Sequence, residues 1–482
     1  MDRSNDTPAA PVTNLARPKP TPLCGVLLAA GMLPALGMHS AQASNVPFTI
    51  MPPISTSALG MIEVVPGDID GDGDLDSVSA SLYDDKIAWY QNVNGNGSSW
   101  TLHTITLTAD AAFSAAVGDL DGDNDLDVAS ASACDDKIAW YENTNGDGSA
   151  WTTHTVSTAA FGAHSVWIAD VDGDGVLDLL SASRSDAKIA WYENVNGNGS
   201  TWFARTISLL AYSASQVRTG DVDGDGDLDV LSASSADNKI AWYENGDGIG
   251  TSWALRTISV TANSARAVDV ADVDLDGDLD VLSASRYDDR VAWYENLDGL
   301  GTIWTLHTIS LAADGSQYLA VGDPDSDGDM DVFVASYRDD RISWFENDGT
   351  PSDVTPWTMH TITDQADFAA SVAVADIDGD GDIDALSGSV FDDKVGWYRN
   401  DTPTVLPTGG LTTTEAGGTA SFTVVLNTAP VADVTIPIAS ADASEGTVSP
   451  AALAFTPGGW NVPQTVTVTG VDDNIRDLNV PY

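Results

Sequence analysis

Asp68-Ile69-Asp70-Gly71-Asp72-Gly73-Asp74-Leu75-Asp76 is the phrase on which this sequence turns. Its first aspartate returns as Asp119, Asp170, Asp221, Asp272, Asp323 and Asp376, at a spacing of 51 residues five times and then 53. A second marker is the tryptophan of Ile138-Ala139-Trp140-Tyr141-Glu142-Asn143. It falls at Trp89, Trp140, Trp191, Trp242, Trp293, Trp344 and Trp397, with the same spacing. Two independent markers holding one period define seven repeats.

Short strands bounded by turn residues fill each repeat. In the second, the pattern predicts strand A at Ala115–Gly118, strand B at Leu126–Ser132, strand C at Lys137–Asn143 and strand D at Trp151–Ser157. No stretch keeps a 3.6-residue period. Four antiparallel strands per ~50 residues, repeated seven times, predict an all-β chain folded as a seven-bladed β-propeller over residues 45–400. A β-solenoid is the alternative, with coils that are usually shorter. The seventh repeat lacks its strand D, and Phe48-Thr49-Ile50-Met51-Pro52-Pro53-Ile54-Ser55 is the candidate to supply it from the other end of the propeller sequence. Such an exchange removes two open sheet edges, and an outer strand tolerates the two prolines.

The chain has 482 residues, 43% of them hydrophobic, enough for a packed core. Its 19 basic and 72 acidic side chains leave a formal charge of −53. That balance argues against nucleic acid and anionic lipid as partners and calls for cations. Arg17 and Lys19 precede an apolar run from Leu23 to Leu36, followed by Ala41-Gln42-Ala43. The run is short of the ~20 residues of a membrane span, so residues 1–43 are expected to be a signal peptide and the protein secreted or displayed at the cell surface. No other segment is long enough to span a membrane. Two cysteines, Cys24 and Cys134, make no disulfide framework.

The aspartate phrase reads as a cage for a hard cation, because oxygen ligands at alternate positions of a tight loop suit calcium's 6–8 oxygens. Positions 1, 3, 5, 7 and 9 are Asp68, Asp70, Asp72, Asp74 and Asp76 in the first repeat, and Asp119, Asp121, Asp123, Asp125 and Asp127 in the second. The third has Asp170, Asp172, Asp174, Val176 and Asp178, and the fourth Asp221, Asp223, Asp225, Asp227 and Asp229. The remaining three sets are Asp272, Asp274, Asp276, Asp278 and Asp280; Asp323, Asp325, Asp327, Asp329 and Asp331; and Asp376, Asp378, Asp380, Asp382 and Asp384. Position 7 is expected to offer its backbone carbonyl, which explains why Val176 is tolerated. Position 6 is Gly in six copies and Asn124 in the other, the residues that accept positive φ most easily. Positions 2 and 4 read as free to vary, reaching Pro324 and Ser326. About seven Ca²⁺ ions, one per blade, are expected. The EF-hand's twelfth-position glutamate is absent; Ser79 stands there, so the loop leads into a strand. Magnesium, which surrenders its water shell reluctantly, is the lesser candidate.

This Asp-x-Asp-x-Asp-Gly-x-x-Asp loop between two strands resembles the FG-GAP (VCBS-type) repeat, the calcium-binding blade of integrin α-subunit propellers and of many bacterial secreted proteins. The resemblance spans about residues 45–400. It implies structural calcium and extracellular adhesion or ligand binding. Residues 401–410 read as a linker. Beyond it, Ala420–Leu426, Val434–Ile438, Ala452–Phe455 and Gln464–Thr469 alternate like the strands of a β-sandwich. Glu415-Ala416-Gly417-Gly418-Thr419 and Thr465-Val466-Thr467-Val468-Thr469-Gly470-Val471-Asp472-Asp473 resemble a Calx-β domain, incomplete over 411–482. That resemblance implies calcium ligands at Glu415, Asp442, Asp472 and Asp473.

Strand parity puts the aspartate loops and the C–D turns on one face and the B–C and D–A loops on the other. The B–C loops carry Tyr83-Asp84-Asp85-Lys86 and its counterparts at Cys134, Arg184, Tyr287, Tyr337 and Phe391. Their variable first residues suggest a recognition surface for an extracellular protein or glycan, while the Asp and Lys/Arg residues also suit local turn pairs. The Trp–Tyr pairs suggest a lectin-like alternative, although seven equivalent positions suit packing of blade on blade. His103, His154, His307 and His360 share one strand position with Arg205 and Arg256, a structural pattern. His164 is unique but has no visible partner, and Cys134 sits where several other repeats have Tyr or Phe; a polysaccharide-active enzyme using calcium is the remaining alternative. No nucleophile or phosphate-loop motif accompanies His164, and a non-catalytic scaffold is expected.

Overall fold

The computed structural model describes residues 48–351, 357–406, 411–413, 417–426, 433–440 and 446–471. Residues 1–43, expected as a signal peptide, lie outside them, as do Glu415, Asp442, Asp472 and Asp473. Among the described residues no helix is long and apolar enough to cross a membrane.

Each of the first six repeats is one four-stranded antiparallel sheet in chain order, and the seventh supplies three strands of such a sheet. In the first blade, strand A is Met61–Gly67, B is Asp76–Ser81, C is Lys86–Asn92 and D is Trp100–Thr106. Strand A of each blade packs against strand A of the next, and that of the seventh (Ala369–Ala375) packs against that of the first. The fold is an all-β propeller built of seven such sheets. In the second blade, strand A begins at Ala112, three residues before the position expected from sequence. The extension carries a bulge, since Ala112 pairs with Ser132 and Ser114 with Ala131, and Phe113 is skipped. The seventh sheet is completed by Phe48–Ile50, which pairs antiparallel with Tyr398–Asn400. Phe48 closes edge-on against Phe333 of the sixth blade at 6.1 Å.

Strand B is buried on both faces, so it is built of small and branched residues, as in Asp127-Val128-Ala129-Ser130-Ala131-Ser132. Its middle serine meets the buried tyrosine of strand C, with Ser130 Oγ 3.0 Å from the Tyr141 hydroxyl and Ser181 Oγ 3.2 Å from that of Tyr192. The sixth blade replaces both partners with apolar groups, Val334 and Phe345, so no buried hydroxyl is left without a bond. Trp89 and its six counterparts on strand C are at most 1% exposed. Trp89, Trp140, Trp191, Trp242 and Trp397 pack under the C–D turn of the adjacent blade; a Cβ on Gly148 would come within 2.3 Å of the Trp89 ring. A sugar therefore has no access to the Trp–Tyr pairs, which corrects that part of the lectin-like expectation.

After the propeller, Thr419–Val425, Gly446–Ser449 and Gln464–Gly470 share a sheet with Thr404–Leu406, and Val434–Pro437 pairs with Ala452–Phe455. Val424, Leu453, Phe455 and Val466 form the core of this part. Residues 404–406, expected as linker, are a strand, because they pair with Thr423–Val425.

Candidate metal centre

Each aspartate loop is a hairpin whose carboxylates cap its own backbone. In the first blade, Asp68 Oδ2 accepts from Gly73 N–H at 3.1 Å and Asp72 Oδ1 from Asp74 N–H at 3.0 Å. These short bonds force φ positive at position 6, where Gly73 has 96° and Asn124 has 73°. A Cβ at Gly73, Gly175 or Gly226 meets nothing within 4 Å, so conformation and not space selects glycine there.

Position 4 is not free to vary, contrary to the sequence reading. It is also left-handed in every copy, with φ of 70° at Gly71, 59° at Leu275 and 58° at Ser326. Leu275 and Ser326 occupy a region that L-residues avoid. Position 2 is constrained as well. Ile69, Leu120, Val171, Val222, Val273 and Ile377 are each 1% exposed and anchor the loop to the core.

Position 9 is a buried bracket. Asp76 Oδ2 accepts from Ile69 N–H at 3.1 Å and Oδ1 from Asn92 N–H at 2.7 Å, and the pattern repeats as far as Asp384. The sixth blade departs from it. Pro324 has no N–H to give, and Asp331 Oδ2 is buried without a hydrogen-bond partner among the described residues. Burial pushes the Asp76, Asp127, Asp178, Asp229 and Asp280 carboxyls up to about 7, and Asp331 up to about 10.

One oxygen from each of Asp68, Asp70 and Asp76 lies within 4.8 Å of the other two. The same holds for Asp119, Asp121 and Asp127, for Asp170, Asp172 and Asp178, for Asp221, Asp223 and Asp225, and for Asp272, Asp274 and Asp276. Among the described residues, position 3 presents a buried oxygen with no hydrogen-bond partner at Asp121, Asp172, Asp223, Asp274 and Asp378, as does position 1 at Asp68, Asp221 and Asp272. Burial first, then the neighbouring carboxylates, raises Asp172, Asp223 and Asp274 above the usual carboxylate range. Converging orphan oxygens that repel one another are what a hard divalent cation satisfies, so the donor set fits calcium. The position-7 side chains of Asp74, Asp125 and Val176 pack instead beside the C–D turn glycines 95, 146 and 197.

Two sets of residues around the loop were not read from sequence. The asparagine ending strand C bolts adjacent blades together. Asn194 Nδ2 donates to Leu120 O of the preceding aspartate loop at 2.8 Å and to Leu177 O of its own at 3.2 Å, while its Oδ1 accepts from Gly199 N–H at 3.1 Å. Asn92 reaches Ile377 O in the same way across the closure of the ring, at 2.9 Å. The invariant asparagine of the second marker was the available signal. The glutamates beside these asparagines pair with the shared strand-D position: His154 with Glu142 at 2.8 Å, His307 with Glu295 at 2.7 Å and Arg256 with Glu244 at 2.6 Å. The histidines also stack on the blade tryptophan, as His154 does on Trp140 at 4.4 Å. Their role is structural.

On the opposite face, the Asp and Lys/Arg residues of the B–C loops make local pairs, as in Lys86–Asp84 and Lys394–Asp392, both at 2.6 Å. Tyr83, Tyr287 and Phe391 stand about 60% exposed at the head of three of these loops. His164 hydrogen-bonds through Nδ1 to Ser215 O at 2.8 Å and stacks on Phe113, and its Nε2 has no hydrogen-bond partner among the described residues. Burial first, then the nearby Arg266 and Arg184 charges, holds this imidazole well below its usual value. A residue at the same level, Arg266, is another departure from the repeat that sequence reading passed over.

No curated protein matches the chain. Among solved structures, it is similar to BBS1N in the crystal structure of its complex with ARL6DN soaked with lead. The TM-score is 0.52 and the identity 12%, over 74% of this chain and 98% of that one. The crystal soaked with mercury gives a TM-score of 0.50 at the same identity and coverage. At this identity the likeness concerns the fold alone. The FG-GAP-like repeat matches at residues 68–130, 122–181, 170–232, 221–283, 272–334 and 323–387. Every aspartate loop lies within these matches, and the chain belongs to the family of FG-GAP-like repeat proteins.

Proposed function

We propose that this chain is a calcium-stabilised, non-catalytic binding scaffold, exported from the cell, that recognises an extracellular protein or glycan through the face opposite its aspartate loops. The observation that carries the calcium reading is the recurrence, blade after blade, of buried carboxylate oxygens with no hydrogen-bond partner among the described residues. In this reading positions 1, 3 and 5 supply side-chain oxygens, position 7 a carbonyl, and position 9 both braces the loop and closes the cage. Bound calcium neutralises the loop and so stabilises the asparagine contacts between blades. Docking of a protein is supported by the similar BBS1N structure, which is in complex with ARL6DN.

Calcium that binds the folded chain and not the unfolded one stabilises it by mass action, by ~2.7 kcal/mol per site at a hundredfold excess over Kd. Titration calorimetry is expected to find about seven calcium sites, fewer by one in the double variant Asp170→Asn, Asp172→Asn. EDTA is expected to lower Tm by several degrees. A melting curve unchanged by EDTA would overturn the calcium reading.

A further inference from the structure

The face opposite the aspartate loops contains a cavity of about 260 Å³ lined by residues from all seven blades. It is built by a repeated device. Where strand A meets strand B the register slips by one, so that one residue per blade is left unpaired; Phe113, His164, Arg266 and Gln317 are examples. Each of these lines the cavity. Bulges re-aim side chains without disturbing the sheet, so the identity of this residue can change from blade to blade while the ring stays the same.

What has been placed there is unusual for a chain of net charge −53. Arg266 comes from the bulge of the fifth blade, and Arg184 and Arg286 from the B–C loops of the third and fifth; all three line the cavity. Among the described residues their hydrogen-bond partners are neutral. Arg184 Nε donates to Ser213 Oγ at 3.1 Å and Arg266 Nε to Gln317 Oε1 at 2.8 Å. The Arg286 guanidinium lies 4.0 Å over the Tyr337 ring, and its Nε has no hydrogen-bond partner among the described residues. Arg205 and Arg256, by contrast, each pair with a glutamate. Glu63 also lines the cavity, but Oε1 accepts from the Tyr318 hydroxyl at 2.5 Å and Oε2 from Ala115 N–H at 3.0 Å. Burial, followed by the like charges of Arg184 and Arg286, pulls Arg266 below its usual value. Half-buried guanidiniums that repel one another gain most from an anion between them.

We propose that this cavity binds the carboxylate of a compact organic acid. The guanidiniums of Arg184, Arg266 and Arg286 take the carboxylate, and Phe113, Phe368 and Phe391 receive the body that carries it. Guanidinium matches a two-oxygen anion with paired N–H groups. A carboxylate is favoured over phosphate because a second negative charge would be repelled by the acidic molecule. A cavity of this size has room for a sugar acid or an acidic side chain. The assignment deepens the reading of this face as the recognition face and does not depend on calcium.

The test is calorimetric titration of the full chain in calcium with glucuronate and with N-acetylglutamate, and with glucose and inorganic phosphate as controls. One saturable site for at least one carboxylate is expected. Its affinity should fall at least tenfold in Arg266→Gln and in Arg286→Gln, the second of which lies in a loop and leaves the sheet untouched. Binding of glucuronate alone assigns a sugar acid, and binding of N-acetylglutamate alone assigns an acidic side chain. The proposal is overturned if neither carboxylate binds at millimolar concentration, if phosphate binds more tightly than both, or if the variants bind as the parent does. Melting with and without EDTA on the same samples separates the two readings. Retained calcium dependence without carboxylate binding sinks only the cavity assignment, and carboxylate binding without calcium dependence sinks only the metal.

Discussion

Leu275 shows how finely the repeat constrains single positions. It stands at position 4 with φ of 59° and is 56% exposed, so it pays backbone strain with little burial in return. Leu275→Gly is expected to raise stability by about 1 kcal/mol, and Gly224→Leu, the reverse change one blade earlier, to lower it by a similar amount. Urea unfolding of the two variants checks this, and shifts of the same sign would refute it. Pro324 is the second case. Giving the chain an N–H there, as in Pro324→Ile, supplies Asp331 Oδ2 with the donor that its six counterparts have. A gain of about 1 kcal/mol in EDTA is expected after the lost rigidity of proline is set against it. Neither effect was legible in the sequence, where both residues looked like freedom at a silent position. Strain and a missing donor exist only once the backbone has a conformation.

At the scale of the blade, two bonded sets hold strands and neighbours. Asn194→Ala removes three bonds to buried backbone groups, and a loss of about 3 kcal/mol is expected by urea unfolding. An unchanged midpoint would show that the bolt is dispensable. The serine–tyrosine pair behaves differently. Ser130→Val strands the Tyr141 hydroxyl and should cost about 1–2 kcal/mol, whereas adding Tyr141→Phe should recover most of it. The sixth blade, with Val334 and Phe345, already carries this double change. Failure of the second substitution to rescue the first would mean that packing, not the buried hydroxyl, sets the cost. The strand boundaries were largely readable because Gly, Asn and Asp punctuate them, but the three-residue extension of strand A was not. A bulge breaks the two-residue alternation by which strands are recognised.

For the whole molecule, pH acts through the position-9 carboxylates. Their folded values of about 7 and above exceed the unfolded value near 4, so the metal-free fold favours their protonated form. In EDTA, stability is therefore expected to be greatest below about pH 4, as far as these groups are concerned, and to fall as pH rises toward 7 and beyond. Calcium, which requires the ionised form, should reverse the sign. Urea midpoints at pH 5 and pH 8, with and without calcium, measure both slopes, and equal slopes would count against ion binding at these loops. The period of 51 residues was enough to determine an all-β chain of repeated four-stranded sheets, the place of the aspartate loops and the strand that completes the last sheet, because repetition imposes one local solution on every copy. Only the tertiary structure decided which departures from the repeat meet. Arg184, Arg266 and Arg286 lie up to 102 residues apart in the chain and are brought together because each blade points one unpaired residue or loop at the same cavity, a convergence that no linear spacing encodes.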